Sequence, residues 1–239
     1  MIHNTICAYC RKPFIKEENH PQARSVEHLI PNAMTNRKRK NDEGDFYICR
    51  QCNSAKSDID EILGKCAKMQ RDADIAVEVV EKEREENSHL YKKLVKSIKF
   101  NEHGPYLTFP IPGNDLVEYM WFLGKGQFLI ETGKLYDPDK YVMQLKWYNK
   151  IITKSFEENY RTQFESNCFE DLKKNPLAKL INEGECIIHI QNKFSYGYFL
   201  HNYIAIGIDI LNNSRKNKKT ANASRIRILK DFNKKRKRK

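Results

Sequence analysis

CAYC at residues 7–10 and CRQC at residues 49–52 are two C-x-x-C knuckles, the second running directly into NSAKS at 53–57. Each knuckle presents two thiolates from a tight turn. Two knuckles together supply the four-sulfur tetrahedral shell that zinc prefers. Seven cysteines is an odd number, and in a reducing compartment this spacing suits one metal ion better than a disulfide framework. Cys7, Cys10, Cys49 and Cys52 are therefore expected to hold a structural zinc. In a segment with so few apolar residues, such a site supplies on the order of 10 kcal/mol of folding free energy. Four unrelated thiols is the competing reading.

Between the knuckles lies SVEHLIPN, Ser25 to Asn32, and CNSAKS, Cys52 to Ser57, closes the segment. The order of these motifs over Ile6 to Ser57 resembles the four-cysteine branch of the HNH endonuclease family, whose fold is a ββα-metal module. The resemblance implies that Glu27 is a ligand of a catalytic divalent metal, Mg²⁺ or another such ion, that His28 is the general base, and that Asn53 is the second metal ligand. Phosphodiester hydrolysis suits that division. An imidazole takes a proton from water near neutral pH, and a hard cation neutralises charge on the phosphate and the departing oxygen. Lys56 follows Asn53 by three residues, so on a helix the two share a face and Lys56 is placed to meet a phosphate. Free N–H groups in the first turn of that helix would make Cys52 to Ser57 a floor for the same phosphate. The chain departs from the resembled family at Gly44, where an Asn usually braces the loop between the two strands; Asp45 or Asn41 is the replacement to look for, a loop held in some other way being the alternative.

The chain carries a formal charge of +12 and a pI near 9.3, which points to a polyanionic partner, with double-stranded DNA the first choice. Arg37, Lys38, Arg39 and Lys40 form a run beside the proposed site and are expected to meet the nucleic-acid backbone without reading sequence. A second cluster, SRKNKK at 214–219, and the terminal NKKRKRK at 233–239 read as solvated and mobile. No run of about 18 apolar residues is present to span a bilayer, and no secretory signal opens the chain, so a cytosolic protein without a membrane partner is expected.

The expected fold class is α+β: the small N-terminal ββα-metal module over 1–60, a helical connector over 61–104, an α+β accessory domain over 105–212 and a basic tail over 213–239. Apolar residues from Ile59 to Val80 recur at helical spacing, with Ser57 or Asp58 as the cap. YLTFPI, residues 106–111, reads as a strand or extended connector at a domain boundary. NDLVEYMWFLGKG predicts a helix, with GKGQ at 124–127 as a turn. DPDKYVMQLKWYNKIITKSFEENYRTQF predicts a longer helix with Pro138 in its first turn. CIIHI and YGYFLHNYIAIGIDI predict strands.

Cys66, Cys168 and Cys186 are expected as small buried hydrophobes, and His189 and His201 as structural residues. Tyr196, Tyr198, Phe199 and Tyr203 are expected in a β-core, with base stacking as the lesser use. The function expected is a DNA endonuclease. A zinc-knuckle nucleic-acid-binding protein without catalysis is the alternative, and a nuclease subunit of a larger defence or mobile-element assembly, docked on a protein partner through residues from about 105 onward, is a third.

Overall fold

The computed structural model describes residues 1–35, 37–69, 73–86, 91–92, 95, 98–101, 104–107, 111–149, 173–181, 185–200 and 204–234. It is an α+β protein. Strands β1, Arg24–Glu27, and β2, Phe46–Cys49, pair antiparallel with Glu27 opposite Phe46 and Arg24 opposite Cys49. Helix α1, Arg50–Met69, starts on the residue after β2, so the second knuckle sits at the corner between strand and helix. Its start is earlier than the caps at Ser57 and Asp58 predict, because the knuckle itself turns the chain. Helix α2, Ala73–Glu85, returns against α1. Lys65 on α1 bridges to Glu61 and to the buried Glu83 on α2.

A second hairpin follows, β3 at Ile98–Asn101 and β4 at Gly104–Leu107. The first of these continues the charged helical pattern in sequence, yet it is a strand. Helix α3, Gly113–Thr132, ends on Gly133, whose φ of 66° is the left-handed conformation that a glycine adopts without strain. Then come β5, Tyr141–Asn149, β6, Ala178–Ile181, β7, Cys186–Asn192, β8, Ser195–Leu200, and β9, Ile204–Asn212. They form one antiparallel sheet in the order β5-β9-β8-β7-β6. Helix α4, Arg215–Lys234, lies across β5 and α3.

Two expectations fail for identifiable reasons, one of a helix and one of a mobile tail. Tyr141–Asn149 is a strand: Met143 and Leu145 are buried while their neighbours Val142, Gln144 and Lys146 are less so, which is a period of two rather than 3.6. Residues 215–234, read as a mobile tail, form a seated helix. Ile228 is buried, Phe232 packs edge-on against Trp147, and the Leu145 amide donates to Ser224 Oγ at 3.2 Å.

GKGQ is the interior of α3 and not a turn. Two residues apart on a helix is about 200° of rotation, so Gly124 and Gly126 face opposite sides. A Cβ on Gly124 would lie 2.8 Å from Met143 Sδ in the large sheet, and one on Gly126 would lie 2.5 Å from Leu29 Cδ1 and 2.7 Å from Phe46 Cζ in the first hairpin. A helix-interior glycine costs about 1 kcal/mol relative to alanine; here two of them let α3 be gripped on both faces. One hydrophobic core consequently runs from Cys7, Phe46 and Leu63 through Leu116 and Phe122 to Tyr198 and Ile208.

Of the cysteines read as small hydrophobes, Cys66 and Cys186 are buried, and Cys168 lies outside the described residues. Tyr196 and Tyr198 are core residues, Phe199 is half-buried, and His189 sits in β7; His201 and Tyr203 lie outside the described residues. No helix among the described residues is long and apolar enough to cross a membrane.

Candidate metal centre and the buried carboxylate cluster

Cys7, Cys10, Cys49 and Cys52 converge, their Sγ atoms all within 4.8 Å of one another. Cys10 Sγ and Cys49 Sγ are 3.8 Å apart. A tetrahedron with metal–sulfur bonds of about 2.3 Å has sulfurs about 3.8 Å apart, so the four side chains fit one ion of that kind. The backbone adds to the fit, since the Cys49 N–H donates to Cys7 Sγ at 3.3 Å. The cluster could hold a metal ion, and it ties the N-terminus to the junction of β2 and α1.

Alternation along β1 puts Ser25 and Glu27 on one side, the side on which α1 docks. Asn53 Nδ2 donates to Ser25 Oγ at 3.0 Å. One turn on, Lys56 Nζ lies 2.9 Å from Glu27 Oε1 and 2.8 Å from Asp60 Oδ2. Asn53, Lys56, Ser25 and Glu27 are therefore gathered in the groove between the hairpin and α1. They differ in exposure: Glu27 and Lys56 are only 3 % and 1 % exposed.

The Glu27 carboxylate also accepts the Tyr9 hydroxyl at 2.8 Å, and Lys56 stands 5.7 Å from the centre of the Tyr119 ring of α3. Burial opposes the charge on Lys56, but Asp60 and Glu27 outweigh it and hold its pKa above that of an ordinary lysine. Burial pushes the Asp60 carboxyl up to about 7, with Lys56 pulling the other way and Glu27 adding to the rise. Tyr9 is raised by burial and then by Glu27, so its hydroxyl stays a donor. Tyr9 and Asp60 carry no family signature. Asp60 was legible as the i+4 partner of Lys56, and Tyr9 gave no signal inside its knuckle.

His28 follows Glu27 at the end of β1. Both its ring nitrogens are shielded from water and have no hydrogen-bond partner. Burial, then the nearby Arg39, push its pKa below the usual histidine value, with Asp45 opposing, so it is neutral at neutral pH. A buried polar atom without a partner costs about 1–3 kcal/mol, and native structures rarely tolerate two on one side chain without a use for them.

The loop beyond His28 is braced by Asp45, whose Oδ2 accepts the Leu29 N–H at 2.8 Å and lies 3.5 Å from Arg39 Nη1. Gly44 has no room for a side chain, because a Cβ there would stand 2.2 Å from Val26 Cγ1. Of the basic run, Arg39 turns inward to Asp45 and to the Ile30 carbonyl, and Arg37 pairs with Glu43 at 2.6 Å. Lys38 and Lys40 are exposed and available to a partner. The first turn of α1 is less open to an anion than predicted: the Arg50 and Gln51 N–H groups donate to Ala23 and Pro21 carbonyls, each at 2.9 Å.

On the other side of Asn53 a cleft of about 1010 Å³ opens, lined by Asn53 and Ser25 together with Lys16, Arg24 and Arg50. Arg24 lies over the Tyr47 ring, 4.4 Å from its centre. These cations lie apart in sequence, and nothing in their local pattern marks them. No family model matches the chain, and no curated protein and no solved structure matches it.

Proposed function

We propose that the chain is a metal-dependent endonuclease of the HNH type acting on DNA, with His28 as general base and a structural zinc in the four-cysteine cluster. The observation that carries this reading is His28 itself: a neutral imidazole, unpaired at both nitrogens, one residue from Glu27 and held in a loop that Asp45 braces. Such a group would take the proton of an attacking water once binding of nucleic acid and cation admits one to its shielded ring. Asn53 spends its amide N–H on Ser25, which leaves the oxygen as its ligating atom. Glu27 and Asn53 would hold a divalent cation, whose chemistry is to neutralise charge on the phosphate and the departing oxygen. To hold it, Glu27 would have to give up its pairing with Lys56, whose ammonium would then be free to meet a phosphate oxygen. The cleft beside Asn53, with Lys16, Arg24 and Arg50, supports approach of a polyanion from that side.

One observation favours the second reading, a binding module without catalysis: Glu27 and Lys56 already satisfy each other in a buried cluster. A plasmid-nicking assay with Mg²⁺, Mn²⁺ or Ni²⁺ separates the two. The nuclease reading expects nicking that falls about 10²- to 10⁴-fold in His28→Ala. Equal cutting by both proteins would remove His28 from the chemistry, and DNA binding with no cutting under any ion would leave the binding module.

A further inference from the structure

The net charge of the protein is confined to one place. Of 43 Lys and Arg and 31 Asp and Glu, 13 and one respectively follow Ser214, so the first 214 residues balance at 30 of each and the whole +12 falls in the last 25 residues. Most of that stretch is α4, Arg215–Lys234.

Its apolar side is already used. Ile228 is buried, and Leu229 and Phe232 pack on the core near Gly113 and Trp147. At about 100° per residue, Arg215, Lys216, Lys219, Arg227 and Lys230 fall within about a third of the circumference, on the opposite side, and all five are exposed. The single acidic residue of the helix is Asp231. Nor do these charges serve the helix. Its first turn contains no acidic residue and carries Arg215, Lys216 and Lys218, cations at the positive end of the helix dipole, where they destabilise it.

We propose that the outer face of α4 is a docking surface for the phosphate backbone of double-stranded DNA, separate from the hairpin, α1 and the cleft. A 20-residue helix is about 30 Å long, which matches about nine base pairs of duplex at about 3.4 Å each. An anionic membrane fits less well. Insertion needs apolar side chains beside the cations, and on this face Ile226 is the one exposed large hydrophobic residue. Contacts of this kind carry charge and no sequence information. The surface is independent of whether the chain cuts.

The test is fluorescence anisotropy on the full chain, with a labelled duplex of about 20 base pairs titrated across a range of salt concentrations. The variant is Lys216→Gln, Lys219→Gln, Arg227→Gln and Lys230→Gln combined, Gln being a good helix former. Each lost phosphate contact lowers the slope of log K against log salt by about 0.9, so a loss of about three to four in slope and about a hundredfold or more in affinity at low salt is expected. Four exposed lysines elsewhere, Lys92, Lys134, Lys179 and Lys193, changed to Gln should leave the slope alone. Near-ultraviolet circular dichroism of Trp147 and the melting temperature report whether α4 stays seated; an unchanged or higher Tm is expected.

The proposal is overturned by an unchanged slope in the fourfold variant, by an equal loss in the control set, or by binding to phosphatidylserine-containing vesicles in place of DNA. Nicking activity is scored separately. A protein that never cuts but loses DNA binding in the variant keeps this surface and loses the nuclease, and the converse result does the reverse.

Discussion

Asp45 Oδ2 accepts the backbone N–H of Leu29 at 2.8 Å, and the Asp45 N–H in turn donates to the Glu27 carbonyl at 2.8 Å. One residue thus clasps the chain on both sides of His28. Asp45 takes the bracing role and its neighbour Gly44 does not, and the reason is steric: Gly44 faces Val26 too closely for any side chain.

A side chain at position 44 should therefore harm this protein. Gly44→Asn is expected to destabilise the fold by about 1–3 kcal/mol through overpacking against Val26. Asp45→Ala should cost about 1–3 kcal/mol by leaving the Leu29 N–H unpaired and Arg39 without its carboxylate. Urea denaturation gives the two stabilities, and hydrogen exchange at Leu29 reports the clasp directly. If Gly44→Asn matches the parent and Leu29 exchanges no faster in Asp45→Ala, the loop is held by something else.

Removal of the metal should be felt far from the cysteines. The knuckles pin the hairpin, and the hairpin packs through Leu29 and Phe46 on Gly126 of α3, so loss of the ion loosens a core shared with the large sheet. Cys49→Ser, or treatment with a strong zinc chelator, is expected to cost on the order of 10 kcal/mol, enough to unfold a protein of ordinary stability. Elemental analysis should find one zinc per chain in the parent. A parent without bound metal, or a Cys49→Ser variant that melts like the parent, would show that the four sulfurs meet without holding an ion.

The parts of this fold that were legible in sequence are those set by short-range chemistry. Two knuckles placed a four-cysteine cluster that could hold a metal ion. The run from Ile59 to Val80 marked helix, though not the division into α1 and α2, and β-branched residues marked strand over β7 to β9, though not the division into β8 and β9. The failures came where tertiary contacts overruled local preference. Gly124 and Gly126 look like turn residues until α3 is seen held between two sheets. Tyr141–Asn149 alternates with period two, but its flanks, with Pro138 ahead and helix-forming residues behind, suggest a helix. The basic residues of α4 hid the apolar stripe of Ile228, Leu229 and Phe232 that seats it. At the candidate site, the motif singled out Glu27, His28, Asn53 and Lys56, but burial is not written in a motif. That Glu27 and Lys56 are paired under Tyr9 and Tyr119 depends on α3, which lies more than fifty residues downstream of Lys56.

That burial gives the cluster a pH signature of unusual sign. Asp60 has its carboxyl raised from 3.8 to about 7 by desolvation. Between those values the folded protein holds a proton that the unfolded chain has released, so stability falls as pH rises across the window and levels off above about 7. His28, depressed in the folded state, contributes the opposite trend below its ordinary value, and that contribution is common to the parent and any Asp60 variant. Asp60→Asn cannot release a proton there. The difference in unfolding free energy between Asp60→Asn and the parent should grow in favour of the variant from about pH 4 to 7 and stay constant on either side. Lys56→Met removes the cation that favours ionisation of Asp60, so in that background the falling limb should extend above pH 7. Urea midpoints measured at intervals between about pH 4 and 9 decide the matter. Parallel curves for the parent and Asp60→Asn would mean that Asp60 is ionised at all these pH values and that Lys56, not burial, sets its state.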